Sequence, residues 1–363
     1  MKRITALLLL ALLITPAFAQ PKKINTEPPL RGFCIAAPKP ADLDTFLEFI
    51  NDVLGPAGIN TLVLRVDYNY QYKSHPELRD EDALSQKDVD RIVEACQNNE
   101  IAIIPQVNLL GHQSWASDLG NLLKVYPQFD ETPDVKLPKE YKWPNKDSLY
   151  CKSYCPLHPG VHKVVFDVVD EIVRAFHAKA FHAGMDEVFY IGDPDCPRCA
   201  GKSKAKLFAD EVKRINDHLA KTGTELWIWG DRLIDGKSSG IGMWEGSFNN
   251  TWPAVDMIPK DVVICDWHYV KAVPTAPYFA QKGLRVISCP WRKEDVALQQ
   301  LEDMKSFRQN SPAPMNEKFL GVMHTVWTPA ESFLNRWKEG EKPENGLSDI
   351  ACFKALSKAW TGK

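Results

Sequence analysis

The chain alternates short apolar runs with longer amphipathic stretches, and this alternation predicts its fold. Uninterrupted apolar runs are typical of strands buried on both faces of a parallel sheet. Eight such runs lie at residues 32–36, 61–66, 101–107, 180–184, 225–229, 262–265, 284–289 and 319–324. Apolar residues at helical spacing predict helices at 43–53, 87–97, 161–176, 203–220, 272–281, 294–308 and 349–360. The pattern predicts an α/β fold, a single-domain (β/α)8 TIM barrel over residues 31–363.

An open, doubly wound sheet is the alternative, because one miscounted strand would produce it. Such a sheet often carries a glycine-rich phosphate-binding turn after its first strand, and neither GxGxxG nor GxxxxGK[ST] follows residues 32–36. The closed barrel is therefore favoured. The segment 109–159 lacks strong periodicity, and connections of that length usually carry function or cover a site.

The amino-terminal residues predict an exported protein. Lys2 and Arg3 precede an apolar stretch that ends near Thr15, and a small-x-small sequence, Ala17-Phe18-Ala19, follows. This predicts a secretory signal peptide at 1–19 and a flexible leader at 20–30. The apolar stretch is too short for a membrane-spanning helix, which needs about 20 residues. We expect a periplasmic or secreted protein without a membrane span.

Composition narrows the function classes. The net charge is -3, and no basic run with interleaved aromatic residues is present, so nucleic acid is not an expected partner. The 11 tryptophans, several at predicted strand ends, offer flat faces on which sugar rings could stack.

The nine cysteines leave at least one thiol unpaired in a monomer. Cys196 and Cys199 have CxxC spacing, but no second CxxC or nearby histidine pair completes a zinc set. A local disulfide or free thiols are favoured, with metal binding as the alternative. No metal or organic cofactor is expected for the chemistry.

Candidate chemistry lies after the apolar runs, because catalytic groups of such barrels stand at the carboxyl ends of the strands. The polar or aromatic residues found there are Asp67, Asn108, His112, Asp186, Glu187, Asp231, Asp266 and Trp327. The adjacent carboxylates Asp186 and Glu187 form the densest group, close to His182. Like charges so close oppose each other's ionisation, and this can raise one pKa into the range of a general acid.

The segment HAGMDEV at 182–188 resembles the H-x-G-G-D-E-V signature of glycoside hydrolase family 20, the β-N-acetylhexosaminidases. The preceding segment CPLHPGVHKVVFDVVDEIVRAF is similar to the family's approach to that signature, and LRVDYN, IPQVNLLGH, WIWGDRL and Arg31-Gly32 also match. Two positions depart from the family pattern: Gln106 replaces a usual glutamate and Met185 a usual glycine.

The resemblance implies an exo-acting β-N-acetylhexosaminidase that acts on glycans with terminal N-acetylhexosamine by a substrate-assisted, retaining mechanism. Glu187 would be the general acid and base, and Asp186 would orient the 2-acetamido group. His112 would hydrogen-bond the acid, with Asp67 holding its imidazole.

The resemblance also implies a set of sugar-binding residues. Arg31 would bind hydroxyl groups, Asp231 a further hydroxyl, and Tyr269 the acetamido oxygen. The remaining predicted binding residues, largely a wall around the acetamido methyl group, are His182, Trp229, Trp267, Trp291 and Trp327. A barrel glycosidase for another amino sugar and a catalytically silent carbohydrate-binding protein are the alternative functions.

Overall fold

The structure is a computed structural model that describes residues 27–143, 145, 150–341 and 345–362. The predicted signal peptide and residues 20–26 of the predicted leader lie outside the described residues. The last residue of that leader, Leu30, already belongs to the first strand. Among the helices of the described part, none has both the length and the apolar character needed to cross a bilayer.

Eight parallel strands form a closed barrel, which confirms the predicted fold. Neighbouring strands pair in the order of the sequence, and β1 closes the ring by pairing with both β2 and β8. The strands are β1 (Leu30–Ala36), β2 (Thr61–Arg65), β3 (Ala102–Leu109), β4 (Ala180–Gly184), β5 (Glu225–Trp229), β6 (Val263–Trp267), β7 (Arg285–Cys289) and β8 (Phe319–Thr325).

Helices cover the outside of the barrel. The principal ones are α1 (Leu43–Phe49), α2 (Gln86–Asn98), α3 (Val161–Ala175), α4 (Lys204–Leu219), α5 (Ala276–Gln281), α6 (Glu294–Asn310), α7 (Ala330–Glu339) and α8 (Asp349–Thr361). Local sequence explains several of the starts. Ser85 caps α2 in a reciprocal capping box with Asp88, and the Ser203 hydroxyl accepts from the Lys206 N–H at the start of α4.

Two features of the helical layer differ from the prediction. Helix α5 begins at Ala276 rather than 272, because Pro274 disfavours helical backbone at the residue before it. Helix α7 was not predicted, since Phe333, Leu334 and Trp337 are too few apolar positions for a clear helical period.

The inside of the barrel is a packed apolar core, and this core is aromatic at the carboxyl end of the barrel. On β6, Val263, Cys265 and Trp267 belong to the interior cluster, whereas Ile264 belongs to the core shared with the surrounding helices. Because inward and outward side chains alternate along each strand, the last inward residue of a strand stands at the carboxyl end of the barrel. This last inward residue is Trp229 on β5 and Trp267 on β6.

Candidate active site

The carboxylates of Asp186 and Glu187, hereafter called the catalytic pair after the role predicted for them, share one histidine. The Nε2 atom of His112 lies 3.1 Å from Oδ2 of Asp186 and 3.3 Å from Oε2 of Glu187. Asp186 is only 7% exposed and Glu187 only 9%. The two acids follow β4 at the carboxyl end of the barrel, and His112 follows β3, the adjacent strand. The structure thus joins three residues predicted from the sequence.

The backbone that presents the catalytic pair is unusual. Gly184 ends β4 with a φ of +67°, and a Cβ atom there would lie 2.3 Å from Oδ1 of Asn108. Met185 and Glu187 also have left-handed backbone, with φ of 66° and 48°, and His112 has a φ of 52°. Such conformations are costly for residues other than glycine and concentrate at functional sites. Met185, one of the departures from the family signature, is accommodated by burying its side chain.

Charge coupling sets the protonation of this group. Burial alone would lower the pKa of His112, but the Asp186 and Glu187 carboxylates hold it well above its usual value. Burial alone would raise the pKa of Asp186, yet the neighbouring imidazole holds it below its usual value. The favoured state is therefore an imidazolium beside an ionised Asp186.

The Asp231 carboxylate contacts the backbone of Glu187 and the side chain of Arg232. Its Oδ2 atom accepts the Glu187 backbone N–H at 2.9 Å and the Arg232 Nε–H at 2.6 Å, and Trp267 donates to Oδ1 at 3.3 Å. Burial raises the pKa of Asp231 to about 6, against the lowering effect of the Arg232 guanidinium. Asp231 was predicted to bind a sugar hydroxyl; the structure instead uses its oxygens to position Glu187.

Asp67 lies near the site, but it does not hold the imidazole as predicted. Its carboxylate accepts the Asn108 backbone N–H at 2.8 Å and the Asn108 side-chain amide at 3.4 Å, whereas neither nitrogen of His112 pairs with it, all three residues being within the described part of the chain. Gln106, the other departure from the family pattern, is buried and donates to Oδ1 of the same Asn108 at 3.2 Å. The relay from Asp67 through His112 is thus replaced by an asparagine-centred network.

A group of aromatic side chains lies next to the catalytic pair. It consists of Trp229, Trp267, Tyr269 and Trp327 and is hereafter called the aromatic floor. The Trp229 ring is fully buried, 4.6 Å from the His182 ring and 5.5 Å from the Trp327 ring, measured between centroids. Trp327 donates its indole N–H to the Tyr269 hydroxyl at 2.8 Å, and Tyr269 stacks on Trp267 at 4.9 Å. His182, on β4, is fully buried, and its Nδ1 accepts the Gly184 N–H. Its ring therefore packs against Trp229 and is not open to solvent.

Trp291 extends this aromatic group on one side. Its ring contacts Tyr269 edge to face at 5.4 Å, and the Arg292 guanidinium lies 3.9 Å from its centroid. All four tryptophans predicted for the pocket wall therefore belong to one aromatic group with Tyr269.

The prediction for Arg31 is wrong. Arg31 lies near the start of β1, where its backbone N–H donates to Asn60 just before β2, so it stands at the amino end of the barrel, opposite the catalytic pair. The arginine at the correct end is Arg65, which sequence reasoning missed. Its guanidinium lies 4.7 Å from the Trp327 ring centroid and donates to the Val326 carbonyl, and its buried Nε has no partner among the described residues.

A second aromatic group was also missed. Tyr150 contacts Trp115 at 5.0 Å, Trp244 at 4.8 Å and Phe189 at 5.8 Å, and Trp115 stacks against His112 at 6.0 Å. The sequence did mark the long segment 109–159 as functional, and Trp115 and Tyr150 come from it. Trp115 is 57% exposed, which suits a ring that meets a ligand from solvent.

Two groups of described residues place potential metal ligands within 4.8 Å of one another. In the first, His112 with the catalytic pair, Nε2 of the imidazole faces both carboxylates. The second consists of Glu131, Cys155, Cys196 and Cys199, all buried. Cys155 thus joins the CxxC pair from a distant part of the sequence.

An eight-stranded parallel barrel with a buried acid pair at its carboxyl end is the architecture of barrel glycoside hydrolases. The chain belongs to glycosyl hydrolase family 20, because the model of that family's catalytic domain matches residues 65–333.

Known proteins similar to the chain agree with this assignment. It is 26% identical over 176 residues to a β-hexosaminidase of Porphyromonas gingivalis, covering 45% of this chain and 21% of that protein. It is 25% identical over 201 residues to hexosaminidase D of Bos taurus, covering 52% of each chain. The fold superposes on a chitobiase of Flavobacterium johnsoniae with a TM-score of 0.61, at 16% identity, over 92% of this chain and 52% of that one. The chain spans about half or less of the length of these curated relatives.

Proposed function

We propose that the protein is an exo-acting β-N-acetylhexosaminidase that removes terminal N-acetylhexosamine from glycans. One observation carries the proposal. Oδ2 of Asp186 is engaged by His112, whereas Oδ1 is buried without a hydrogen-bond donor among the residues that the structure describes. A buried acceptor of this kind is costly unless a ligand satisfies it. The N–H of a 2-acetamido group is a donor of the required type.

The spacing of the acids supports a retaining reaction. The facing oxygens of Asp186 and Glu187 lie within 4.8 Å of each other, and each of them contacts Nε2 of His112. An inverting enzyme needs roughly 6.5–9.5 Å between its carboxylates to accommodate a water molecule. With Asp186 committed to the acetamido N–H, the substrate's own acetamido oxygen serves as the nucleophile.

The reaction then has two steps. Protonated Glu187 gives its proton to the glycosidic oxygen while the acetamido oxygen attacks the anomeric carbon, so the glycosidic bond breaks and a cyclic intermediate forms. Glu187, now ionised, takes a proton from water, whose oxygen attacks the same carbon and opens the ring with net retention. Asp186 stabilises the positive charge that develops on the acetamido nitrogen.

The aromatic floor supports recognition of the acetamido group. Tyr269 accepts from Trp327, which leaves its own O–H free to donate to the acetamido oxygen. Burial holds the pKa of Tyr269 well above its usual value, and the charge of nearby Asp186 adds a smaller effect in the same direction. Trp267 and Trp327 would contact the acetamido methyl group, with the fully buried Trp229 packed behind Trp327. The β-hexosaminidase names of the similar proteins are consistent with this substrate class.

An exported location is part of the proposal. The predicted signal peptide at 1–19 would direct the enzyme to the periplasm or to the medium, where it would meet glycans. Recovery of the mature chain beginning near residue 20 from that compartment would support this, and cytoplasmic retention of the full chain would contradict it.

The test compares hydrolysis of an aryl β-N-acetylglucosaminide with that of the matching aryl β-glucoside. We expect turnover of the acetamido substrate alone, inhibition by a thiazoline analogue of the cyclic intermediate, and a loss of about 10²–10⁴-fold in kcat for Glu187→Gln. Glu294→Gln, at the exposed start of α6, is the matched control and should retain full activity.

Each alternative function has its own outcome. Equal cleavage of the plain glucoside would overturn substrate assistance. Cleavage confined to a differently substituted amino sugar would identify a barrel glycosidase of other specificity. Sugar binding without any turnover would identify a catalytically silent carbohydrate-binding protein.

A further inference from the structure

A buried cluster of three cysteines and one glutamate, the Cys3Glu cluster, lies apart from the catalytic pair. It consists of Glu131, Cys155, Cys196 and Cys199, whose ligand atoms all lie within 4.8 Å of one another. Sγ of Cys155 is 3.6 Å from Sγ of Cys196 and 3.5 Å from Sγ of Cys199. Each of the four residues is at most 1% exposed.

The distances match a metal site better than a covalent bridge. A disulfide joins sulfurs at about 2.05 Å, far closer than either pair here. In tetrahedral zinc sites with Zn–S bonds of about 2.3 Å, neighbouring sulfurs are about 3.8 Å apart. The observed separations are within a few tenths of an ångström of that value, and one cysteine is equally close to two others.

Glu131 provides the fourth ligand and an independent reason to expect a cation. Its Oε1 accepts the Asp193 backbone N–H at 3.1 Å, whereas Oε2 is buried without a partner among the described residues. The buried ammonium nearby, that of Lys152, is bound instead to Asp130 at 2.8 Å and to Thr132. A fully buried carboxylate facing three thiols is unfavourable without a neutralising cation.

We propose that the Cys3Glu cluster binds one Zn²⁺ ion as a closed structural site. Three sulfurs and one carboxylate oxygen suit a tetrahedral, thiolate-preferring ion, whereas Mg²⁺ and Ca²⁺ prefer all-oxygen sites. Complete burial with four protein ligands leaves no position for a substrate or catalytic water, so the ion is structural.

The cluster joins the two connections that carry the catalytic residues. Glu131 and Cys155 belong to the β3–α3 connection, which contributes His112; Cys196 and Cys199 belong to the β4–α4 connection, which contributes the catalytic pair. Close to the cluster, the Cys151 thiol donates to the Glu187 backbone carbonyl at 3.5 Å. Bound zinc therefore fixes one connection against the other and stabilises the contact between His112 and the catalytic pair.

The test measures metal content and spectra of the full chain, purified without chelators. We expect one zinc ion per chain by elemental analysis, and loss of that ion in Cys196→Ala and Cys199→Ala. Cys96→Ala, a buried cysteine in α2, is the matched control and should keep its zinc. Replacement of zinc by Co²⁺ should give thiolate-to-cobalt charge-transfer absorption and the visible bands of tetrahedral cobalt.

A wild-type measurement covers the case in which the cysteine variants fail to fold. Titration of the folded protein with a mercurial, in the presence of a colorimetric zinc chelator, should release zinc in proportion to the thiols modified. A chain without zinc even after refolding with added Zn²⁺, or a mapped disulfide from Cys155 to Cys196 or Cys199, would overturn the proposal. Glu187→Gln should retain full zinc content, so failure of the proposed function leaves this test unaffected.

Discussion

Nε2 of His112 lies 3.1 Å from Oδ2 of Asp186, so a side chain of the β3–α3 connection contacts an acid that follows β4. The same nitrogen is 3.3 Å from Glu187, so one imidazolium serves both acids. The contact favours the ionised form of Asp186, and the second oxygen of that acid stays buried without a donor among the described residues.

Replacing His112 with glutamine should lower kcat/KM about 10–100-fold, the effect of losing a hydrogen bond to a charged group. Because the imidazolium lowers the pKa of Asp186, wild-type activity should persist as pH falls, until Asp186 takes up a proton. In His112→Gln this acidic limb should move to higher pH. Profiles of kcat/KM against pH measure the shift. An unmoved acidic limb would contradict the assignment.

Asp231→Asn should impair catalysis without weakening substrate binding. Asparagine can still accept the Glu187 N–H, but the buried Arg232 guanidinium loses its counter-charge, which costs about 3–5 kcal/mol of unfolding free energy. We expect kcat to fall while KM stays nearly constant, because Asp231 positions Glu187. Denaturant unfolding and steady-state kinetics measure both effects. Asp210→Asn, which breaks an exposed ion pair with Lys206, is the control. A rise in KM alone would indicate direct sugar binding instead.

Tyr269→Phe should reduce kcat/KM for the acetamido substrate about tenfold or more, since a hydrogen bond to a group that gains charge is lost. Binding of the thiazoline inhibitor should weaken by a similar factor. Inhibition constants and kcat/KM therefore need to be measured in parallel. Tyr278→Phe removes a hydroxyl that donates to the Leu233 carbonyl, outside the site, and should change neither. Equal effects of the two substitutions would remove Tyr269 from the mechanism.

His324 should make the protein sensitive to acid. Burial lowers the pKa of His324 from 6.5 to about 4, so the folded protein keeps it neutral where the unfolded chain binds a proton. Stability should decline as pH falls from 6.5 to about 4, by up to about 3 kcal/mol at 1.4 kcal/mol per pKa unit. His324→Phe, between Phe33 and Phe353, should reduce this decline.

Thermal unfolding of wild type and His324→Phe at pH 7 and at pH 4.5 measures the difference. The control is His177→Asn, an exposed histidine with left-handed backbone that asparagine tolerates. The same acid sensitivity in wild type and His324→Phe would show that other groups cause it.

The strands were predictable because a barrel buries them on both faces, which produces apolar runs that sequence periodicity detects. All eight predicted strands lie within two residues of those observed. The connection after β5 carries no long helix, only short 3-10 segments at Asp231–Leu233 and Trp252–Asp256 and a four-residue α-helix at Gly236–Ser239, and no long helical pattern was predicted there either.

The proximity of Asp186, Glu187 and His112 was predictable because all three follow apolar runs that end at the same side of the barrel. Arg31 fails by the same rule: it precedes its run, and therefore lies at the opposite end, whereas Arg65 ends its strand at the correct side. The partnership of Cys155 with the CxxC pair could not be seen, because the residues are 41 and 44 positions apart and meet only through folding.

The left-handed backbone at Asp67, His112, Met185 and Glu187 has a consequence for engineering the protein. Glycine or asparagine would relax the backbone at Asp67, His112 and Glu187, so selection for heat tolerance alone should favour such substitutions there, whereas at Met185 they would lose the burial of the side chain. Under the proposed mechanism most of these gains would come at the expense of turnover, because the substitutions would remove reacting or supporting side chains. A thermostable variant that keeps its activity should therefore carry its changes in the outer helices, away from this rim.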